Sequence, residues 1–437
     1  MSPTRRVFLG SVAVTLAIGP APAQDGAASQ PRVLTARKAK KRLWPEPAAE
    51  SDISGFDGAA PGPLLRIRHG EELRLKLANE LDAPLSLHWR GVRGPNAMDG
   101  AAPLTQKPIG KGEQFDIAMT PPDSGVFLYH SGVRAHAIEQ TAQGLTGLLI
   151  VEEREPPRVD RDIACLLADW TGTEGAAPLV TTNGDTHAAP VEMAPGSRLR
   201  LRLASGSARR IMAVGFEGVK AQVAAIDGQP CDLFEPVRQT LPLAPGARFD
   251  VFFDLPGQAG AEASVVLRGM TGAAAGQPTA LLRFVTTGDA RPVLPAIAAL
   301  PPNGSLPGAI PLEKARRADL TIDGGPTPQG EARPWRINGQ AATELAAKPL
   351  FSVKRGTSVS MGFINKSAIP HQMHIHGHVV RQLHLMDDGW EPYWRDAVIA
   401  PEGRTVRVAF VADNPGKWLI VSGFGTASGP VAWFEVT

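Results

Sequence analysis

Seven of the ten histidines lie in three short segments, and these segments hold the residues best suited to bind a metal ion. Residues 87–91 read Leu-His-Trp-Arg-Gly, residues 128–132 read Leu-Tyr-His-Ser-Gly with His136 shortly after, and residues 371–378 read His-Gln-Met-His-Ile-His-Gly-His. Neutral imidazole is the commonest protein ligand for copper and zinc. A lone histidine is usually just a hydrogen-bonded polar residue. A His-x-x-His-x-His run in a β protein predicts a metal site, with a hydrogen-bonded strand end as the alternative.

The third segment is predicted to be a strand in which His374, His376 and His378 share one face. Successive side chains of a strand alternate between its two faces, so histidines two positions apart lie about 6–7 Å apart along the chain. We therefore expect these three imidazoles to face the same site.

Strand patterns dominate the rest of the chain. Short runs alternate between charged and apolar residues, for example at residues 72–77 and 198–203, and Gly, Pro, Asn and Asp bound them. No stretch of helical periodicity exceeds about three turns, and helical candidates are confined to short loops such as residues 132–141. The sequence therefore predicts an all-β protein built from sandwiches or barrels.

An internal repeat organises these strands. The same three residue types recur at the same spacings, namely Gly70, Asn79 and His88, then Gly356, Asn365 and His374. Two further intervals also match: Gly112 precedes Gly125 by as many residues as Gly403 precedes Gly416, and Gly125 precedes His130 by as many as Gly416 precedes Val421. A third copy begins at Gly196, but Val214 occupies the position of the histidine. Sandwich strands of similar length can produce such spacings by chance, but four matching intervals favour duplication.

The repeat and a segment rich in Pro, Ala and Gly divide the chain. We predict a first domain at residues 31–155, a second at 158–287, a linker at 288–316 and a third domain at 317–437. His88 and His374 occupy the same position in two copies of the repeat. We therefore expect them to face each other across the first and third domains.

The first 23 residues have the pattern of an export signal. Arg5 and Arg6 precede a short apolar run at residues 11–18, and residues 21–23 supply the small residues of a cleavage site. The apolar run is too short to cross a bilayer. We predict a twin-arginine signal at residues 1–23, a periplasmic location, and no transmembrane segment in the mature chain.

Composition narrows the function classes. With 437 residues, of which 43% are hydrophobic, the chain can bury sizeable cores and is not predicted to be disordered. Residues 1–23 carry Arg5 and Arg6 and no acidic residue, so the remainder has equal numbers of basic and acidic residues. A neutral mature chain is a poor candidate for a nucleic-acid binder.

The chain has two cysteines, Cys165 and Cys231. Cys165 lies in an apolar run typical of a buried strand, and Cys231 follows a turn-like Asp-Gly-Gln-Pro sequence. We predict two separate thiols. Neither has a neighbouring histidine, so neither is expected to be a metal ligand.

All three histidine segments resemble those of multicopper oxidases, the laccase-like family of cupredoxin domains. Further family-like stretches lie at residues 61–63, 183–184, 244–250 and 412–416. The resemblance spans nearly the whole mature chain. It implies an all-β fold of three cupredoxin-like Greek-key β-sandwich domains.

The resemblance also implies roles for five histidines. His371 matches the histidine of the type 1 blue copper, and His88 and His374 match the two ligands of the type 2 copper. His130 and His376 match two of the six ligands of the binuclear type 3 pair. These five residues are the residual copper ligands that the likeness implies.

Several positions depart from the family motifs. Arg90 and Gly132 replace histidines of the first two segments, and the terminal motif carries Ser422 where the family has its copper-binding cysteine, flanked by Val421 and Gly423. A blue copper site needs a thiolate, which a serine hydroxyl cannot replace. Arg90 adds a permanent positive charge where a cation would bind. At most one copper ion is expected, and four-electron reduction of dioxygen is not.

Two functions remain open. The favoured hypothesis is a non-redox periplasmic scaffold or binding protein with a protein partner in the cell envelope, similar to the copper-less SufI-like members of the family that are linked to cell division. The alternative is a copper-binding protein or weak oxidoreductase with one type 2-like copper. Catalytic residues and cofactors other than copper are not predicted.

Overall fold

The computed structural model describes residues 31–44, 46, 48–172, 178–274, 276–327, 330–384, 389–422 and 429–437. The signal predicted at residues 1–23 lies outside this part of the chain. The described residues form thirty β-strands, one α-helix and two short 3-10 segments, so the all-β prediction is confirmed. None of the helices in these residues is long and apolar enough to cross a membrane.

The first domain holds the first two histidine segments. Its strands are β1 (Arg32–Lys41), β2 (Ser51–Phe56), β3 (Leu65–Arg68), β4 (Leu73–Asn79), β5 (Leu87–Arg90), β6 (Gln114–Met119), β7 (Gly125–Ser131) and β8 (Thr146–Glu152). They form two four-stranded sheets, in the orders β2-β1-β4-β6 and β3-β8-β7-β5. A 3-10 segment (Asn96–Met98) and the helix α1 (Ala137–Ala142) lie in the loops. The alternating leucines of β4 pack with Trp89 and Phe127 into the core between the sheets.

The second domain carries no histidine of the three segments. Its strands are β9 (Arg161–Trp170), β10 (Leu179–Thr182), β11 (Pro190–Met193), β12 (Arg198–Ser205), β13 (Met212–Glu217), β14 (Gln222–Ile226), β15 (Gln229–Phe234), β16 (Thr240–Leu243), β17 (Arg248–Asp254), β18 (Glu262–Met270) and β19 (Thr279–Thr286), with a 3-10 segment at Val237–Gln239. They form sheets of six and five strands. Cys165 in β9 and Cys231 in β15 are both free, which confirms the prediction of separate thiols.

The third domain holds the richest histidine segment. Its strands are β20 (Arg316–Pro326), β21 (Ala332–Ile337), β22 (Gln340–Ala341), β23 (Ser352–Val353), β24 (Thr357–Asn365), β25 (His371–Ile375), β26 (Arg381–Gln382), β27 (Ala397–Ala400), β28 (Thr405–Ala412), β29 (Gly416–Ser422) and β30 (Val431–Val436). They form a six-stranded sheet, β22-β21-β20-β24-β28-β26, and a five-stranded sheet, β23-β30-β29-β25-β27.

The three domains share one strand arrangement. The first strand of each pairs in parallel with a later strand, as β1 with β4, β9 with β12 and β20 with β24. That later strand pairs in turn with an antiparallel partner, which is β6, β17 or β28. The fold is therefore three cupredoxin-like Greek-key β-sandwiches, as expected. The boundaries at residues 155, 158, 287 and 317 stay predictions.

The repeated asparagines perform the same structural task in two domains. The amide nitrogen of Asn79 donates to the carbonyls of Ala83 (3.0 Å) and Ile109 (2.9 Å). The amide of Asn365 donates to the carbonyls of Ile369 (2.8 Å) and Ala400 (3.0 Å). Each asparagine thus ties the loop after its strand to a second loop, and this tie fixes where the following histidine strand begins.

The charged face of β12 is not solvated, although its alternating sequence suggests a half-exposed strand. Arg200 and Arg202 are 0% and 1% exposed. Arg200 bonds Glu153 at the end of the first domain and Asp250 within the second, and Arg202 bonds Asp162 at 2.9 Å. The positive charges are therefore buried against carboxylates at a domain boundary, where pairing offsets their desolvation.

Arg248 joins all three domains. Its guanidinium donates from Nε to the carbonyl of Val126 in the first domain (3.1 Å) and from Nη2 to the Asp396 carboxylate in the third (2.6 Å). Within its own domain it donates to the carbonyls of Gly246 and Asp227. The side chain is 0% exposed, so the histidine-bearing domains are held together through a buried cation.

The predicted linker is tightly packed along part of its length. Asn303 hydrogen-bonds Ser124 of the first domain and Gln229 of the second. Ser305 donates to Asp123, which also pairs with Arg93. This segment therefore helps to fix how the domains are arranged around the histidines.

Replacing Arg248 by Met should destabilise the protein by about 3–5 kcal/mol, because it leaves the Asp396 carboxylate buried without its charge partner. Arg209→Met is the matched control, since Arg209 also pairs across domains, with Glu139, but on the surface. Urea unfolding followed by tryptophan fluorescence measures both. A midpoint for Arg248→Met equal to that of the control would contradict this role.

Candidate metal centre

Adjacent strands of the first domain position His88 and His130. β5 and β7 pair antiparallel, with His88 directly opposite His130, and the ring centroids are 5.3 Å apart. Both residues lie at the end of the sheet that faces the third domain. The short pattern Leu-His-Trp-Arg is fully buried, so β5 presents its histidine to a protein interior rather than to solvent.

β25 positions His374 in the third domain. This strand lies between β27 and β29, and His374 pairs with Val421 of β29. His376 follows the strand, and its backbone N–H donates to the carbonyl of Leu419 at 2.9 Å. Both imidazoles are thus fixed by backbone pairing to β29, the strand that carries the terminal family-like motif.

His88 and His374 face each other, as the repeat predicts. Their Nε2 atoms are 3.1 Å apart. Nδ1 of His88 contacts the Asp99 carbonyl at 2.9 Å, and Nδ1 of His374 contacts the Asp396 carbonyl at 2.8 Å. A carbonyl can only accept, so these contacts assign the ring protons to Nδ1 and leave lone pairs on both Nε2 atoms. Two lone pairs directed at each other form a site for a cation, with both ligands oriented by outer hydrogen bonds.

His376 and His130 complete the cluster. Nδ1 of His376 contacts the Asp99 carboxylate at 2.9 Å, and its ring stacks on His88 with centroids 3.9 Å apart. The ligand atoms of His88, His374 and His376 all lie within 4.8 Å of one another. Nδ1 of His130 contacts the Ser131 carbonyl at 2.8 Å. By the same assignment, the Nε2 atoms of both residues are unprotonated.

Burial keeps these imidazoles neutral. It lowers the pKa of His376 to about 4 and the pKa values of His130 and His374 well below their usual value. The positive charge of Arg90 lowers all three further. Neutral imidazole is the form that binds metals, so the cluster is ready to act as a ligand set at neutral pH.

Arg90 borders the cluster where the family likeness implies a further histidine. It is 6% exposed, and its nearest acidic atom is Oδ1 of Asp396, 3.8 Å from Nε. Its Nε and Nη2 atoms are buried without a hydrogen-bond partner. This cation opposes the binding of a second metal ion beside the first.

His371 is separated from the other four histidines. Its Nδ1 lies 2.8 Å from Oγ of Ser422, its Nε2 lies 2.9 Å from Oγ of Ser367, and Trp335 packs edge-on at 5.0 Å. The residue is 0% exposed. Both ring nitrogens are therefore engaged by serine hydroxyls.

His378 does not share a site with His374 and His376, so the prediction of one common face is wrong. β25 ends at Ile375, and Gly377 has a φ of +65°, which turns the chain. The ring of His378 instead packs against Phe410, Trp418 and Phe434 in the core of the third domain.

Two aspartates orient the histidines, and the sequence reasoning missed both. Asp99 lies eleven residues after His88, whereas Asp396 lies twenty-two residues after His374. The repeat therefore could not reveal them. Both are 6% exposed or less, and the burial of these two acids is a signal that only the structure supplies.

A cavity of about 120 Å³ opens beside the cluster, between the three domains. We call it the central cavity. Its lining includes His88, His130, His374, His376 and Arg90, together with Ser422 on the side of the third domain. Ser422 therefore separates the buried His371 from this space.

Comparisons with known proteins agree with this fold. Family models described as multicopper oxidase match residues 38–156 and 316–423. The chain is 26% identical to multicopper oxidase MmcO of Mycobacterium tuberculosis, over 95% of this chain and 93% of that protein. A crystal structure of a multi-copper oxidase from Pseudomonas thermotolerans superposes with a TM-score of 0.79, at 26% identity, over 94% of this chain and 100% of that one. The crystal structure of Lac15 from a marine microbial metagenome superposes with a TM-score of 0.76, at 30% identity, over 93% of this chain and 100% of that one.

Replacing Ser422 by Ala should destabilise the protein by about 1–3 kcal/mol, because Nδ1 of the buried His371 loses its partner. Ser352→Ala, on an exposed strand end, is the control and should leave stability unchanged. Denaturant unfolding measures both variants. Equal midpoints for Ser422→Ala and the parent would show that the His371–Ser422 contact is absent.

Proposed function

Because the chain belongs to the multicopper oxidase family, we propose that it is an exported member that binds a single copper ion and does not reduce dioxygen. The observation that carries the proposal is the opposed pair of His88 and His374, with Nε2 atoms 3.1 Å apart and each Nδ1 tied to a carbonyl. Other similar proteins are named copper resistance protein A, from Escherichia coli and Pseudomonas syringae. The twin-arginine pattern at Arg5 and Arg6 supports a periplasmic location.

The residues present fit one ion of the type 2 kind. His88 and His374 would hold it, with His376 as a third ligand within reach. Such an ion supplies a Lewis acid or a one-electron redox centre. The chain itself contributes the orientation of the rings, through Asp99 and Asp396, and a buried pocket that keeps the imidazoles neutral.

The residues do not fit the other two copper sites of the family. At the type 1 position Ser422 offers a hydroxyl instead of a thiolate, and it is hydrogen-bonded to His371. At the type 3 position Arg90 places a guanidinium where an imidazole is required. With neither site available, no route for electrons leads into the cluster.

A second candidate is the non-redox scaffold, which would bind a protein partner in the cell envelope. The observation that favours it is the engagement of both His371 nitrogens by serines, because this vacated copper position is stable without an ion. In this alternative His88 and His374 would serve only to join the first and third domains.

Copper titration separates the two candidates. The protein should bind one Cu(II) per chain with an ordinary type 2 paramagnetic signal, and His88→Ala or His374→Ala should each abolish that signal. His187→Ala, which removes an exposed histidine, is the matched control and should bind like the parent. Electron paramagnetic resonance with equilibrium dialysis gives the stoichiometry. If the double His88/His374 alanine variant binds copper as the parent does, the scaffold explanation stands.

Optical and oxygen-uptake measurements test the missing sites. The copper-loaded protein should show no intense thiolate-to-copper band in the visible, since position 422 is serine. Oxygen consumption with phenolic or cuprous donors should stay at background, and Ser422→Cys alone should not restore it, because Arg90 remains. A blue sample, or robust turnover by the unmodified chain, would reject the assignment.

A further inference from the structure

The central cavity has a positively charged lining that copper binding does not use. Two guanidinium groups, those of Arg90 and Arg134, line it. The lining residues that the structure describes include no aspartate or glutamate. The charged side chains of this lining are therefore the two guanidinium groups.

The charge of Arg90 is incompletely compensated within the protein. Asp396, its nearest carboxylate, gives its other oxygen to Arg248 at 2.6 Å, while the Arg90 contact is longer at 3.8 Å. Two nitrogens of Arg90 have no hydrogen-bond partner. The nearest acceptor, Oδ1 of Asp396, also lacks a hydrogen bond, so the guanidinium at this cavity wall is only weakly paired within the protein.

Arg134 adds a second cation from the loop before α1. It donates to the carbonyl of Gly429, and burial lowers the pKa of its guanidinium. This bond uses one nitrogen and fixes the side chain at the cavity rather than in solvent. Arg90 ends β5 and Arg134 lies in a loop, so two separate segments of the first domain supply the charges.

Apolar side chains form most of the remaining wall. They include Leu128, Ile138, Ala208, Pro245 and Leu419, which come from all three domains. A volume of about 120 Å³ exceeds what a single water requires, which is about 10–15 Å³. The cavity therefore suits a small molecule with an apolar body and one anionic group.

We propose that the central cavity binds a small organic carboxylate, with its charged group held by Arg90 and Arg134 and its apolar body packed against Leu128, Ala208 and Pro245. The planar guanidinium matches a carboxylate in shape and in donor spacing. Inorganic phosphate or chloride would gain nothing from the apolar wall. The site uses none of the Nε2 lone pairs that the copper proposal requires, so each proposal can fail alone.

The test is calorimetric titration of metal-free protein with benzoate, acetate and benzyl alcohol at pH 7.5. Benzoate should bind at least tenfold more tightly than acetate, which lacks the ring, and than benzyl alcohol, which lacks the charge. Arg90→Met should lower the affinity for benzoate at least tenfold. Arg158→Met, on the exposed surface, should leave this affinity unchanged. Arg134→Met should lower the affinity for benzoate as well. Because Arg134 lies away from the Arg248 junction, this variant tests the proposal even if Arg90→Met fails to fold.

Arg90→His distinguishes this proposal from the copper proposal. It removes the guanidinium and adds an imidazole, so benzoate affinity should fall while Cu(II) affinity rises. The carboxylate proposal is overturned if benzoate binds no better than benzyl alcohol, or if Arg134→Met and Arg90→His both bind benzoate like the parent. Loss of copper binding in His88→Ala with unchanged benzoate affinity would support both proposals.

Discussion

The buried ion pair between Arg248 and Asp396 is the interaction on which the centre depends. Arg248 reaches the first domain at Val126 and the third at Asp396 from the middle of the second domain. The backbone carbonyl of the same Asp396 accepts from Nδ1 of His374. The residue that holds the domains together thus also sets the orientation of a ligand. A change in domain packing would therefore directly change the orientation of His374 in the cluster.

Two positions that depart from the family motifs are accommodated in different ways. At His371 the protein closes the gap with hydrogen bonds to Ser422 and Ser367, and the result is a satisfied, buried side chain. At Arg90 the replacement is a cation without hydrogen bonds on two of its nitrogens. The first position has become part of the core. The second retains an unmet requirement for an acceptor, which is why the cavity beside it suggests a ligand rather than packing.

The sequence predicted the parts of this structure that local patterns encode. The alternating runs gave the strands, and the equal spacing from Asn79 to His88 and from Asn365 to His374 placed those two histidines face to face. It failed at His378, because the strand ends at Ile375 and a turn at Gly377 ends the alternation. It also missed Asp99 and Asp396, which approach the histidines from loops of unequal length. Such contacts depend on how separate loops fold back onto the strands, and the spacing of residues in the sequence does not predict this.

Under the proposed function, the charge around the cluster accounts for the binding of one ion rather than two. The Asp99 carboxylate contacts only imidazole nitrogens, those of His376 and His88, and no arginine or lysine among the described residues pairs with it. Burial raises the pKa of this carboxyl group, and the hydrogen bonds from His376 and His88 lower it. A cation bound at the Nε2 atoms of the same rings would offset the charge of the carboxylate through the imidazoles. On the opposite side Arg90 already supplies a positive charge, and its nearest carboxylate, Asp396, is shared with Arg248, so a second cation there would meet repulsion. The distribution of two charges, one on each side of the histidines, therefore favours a single copper ion over a cluster.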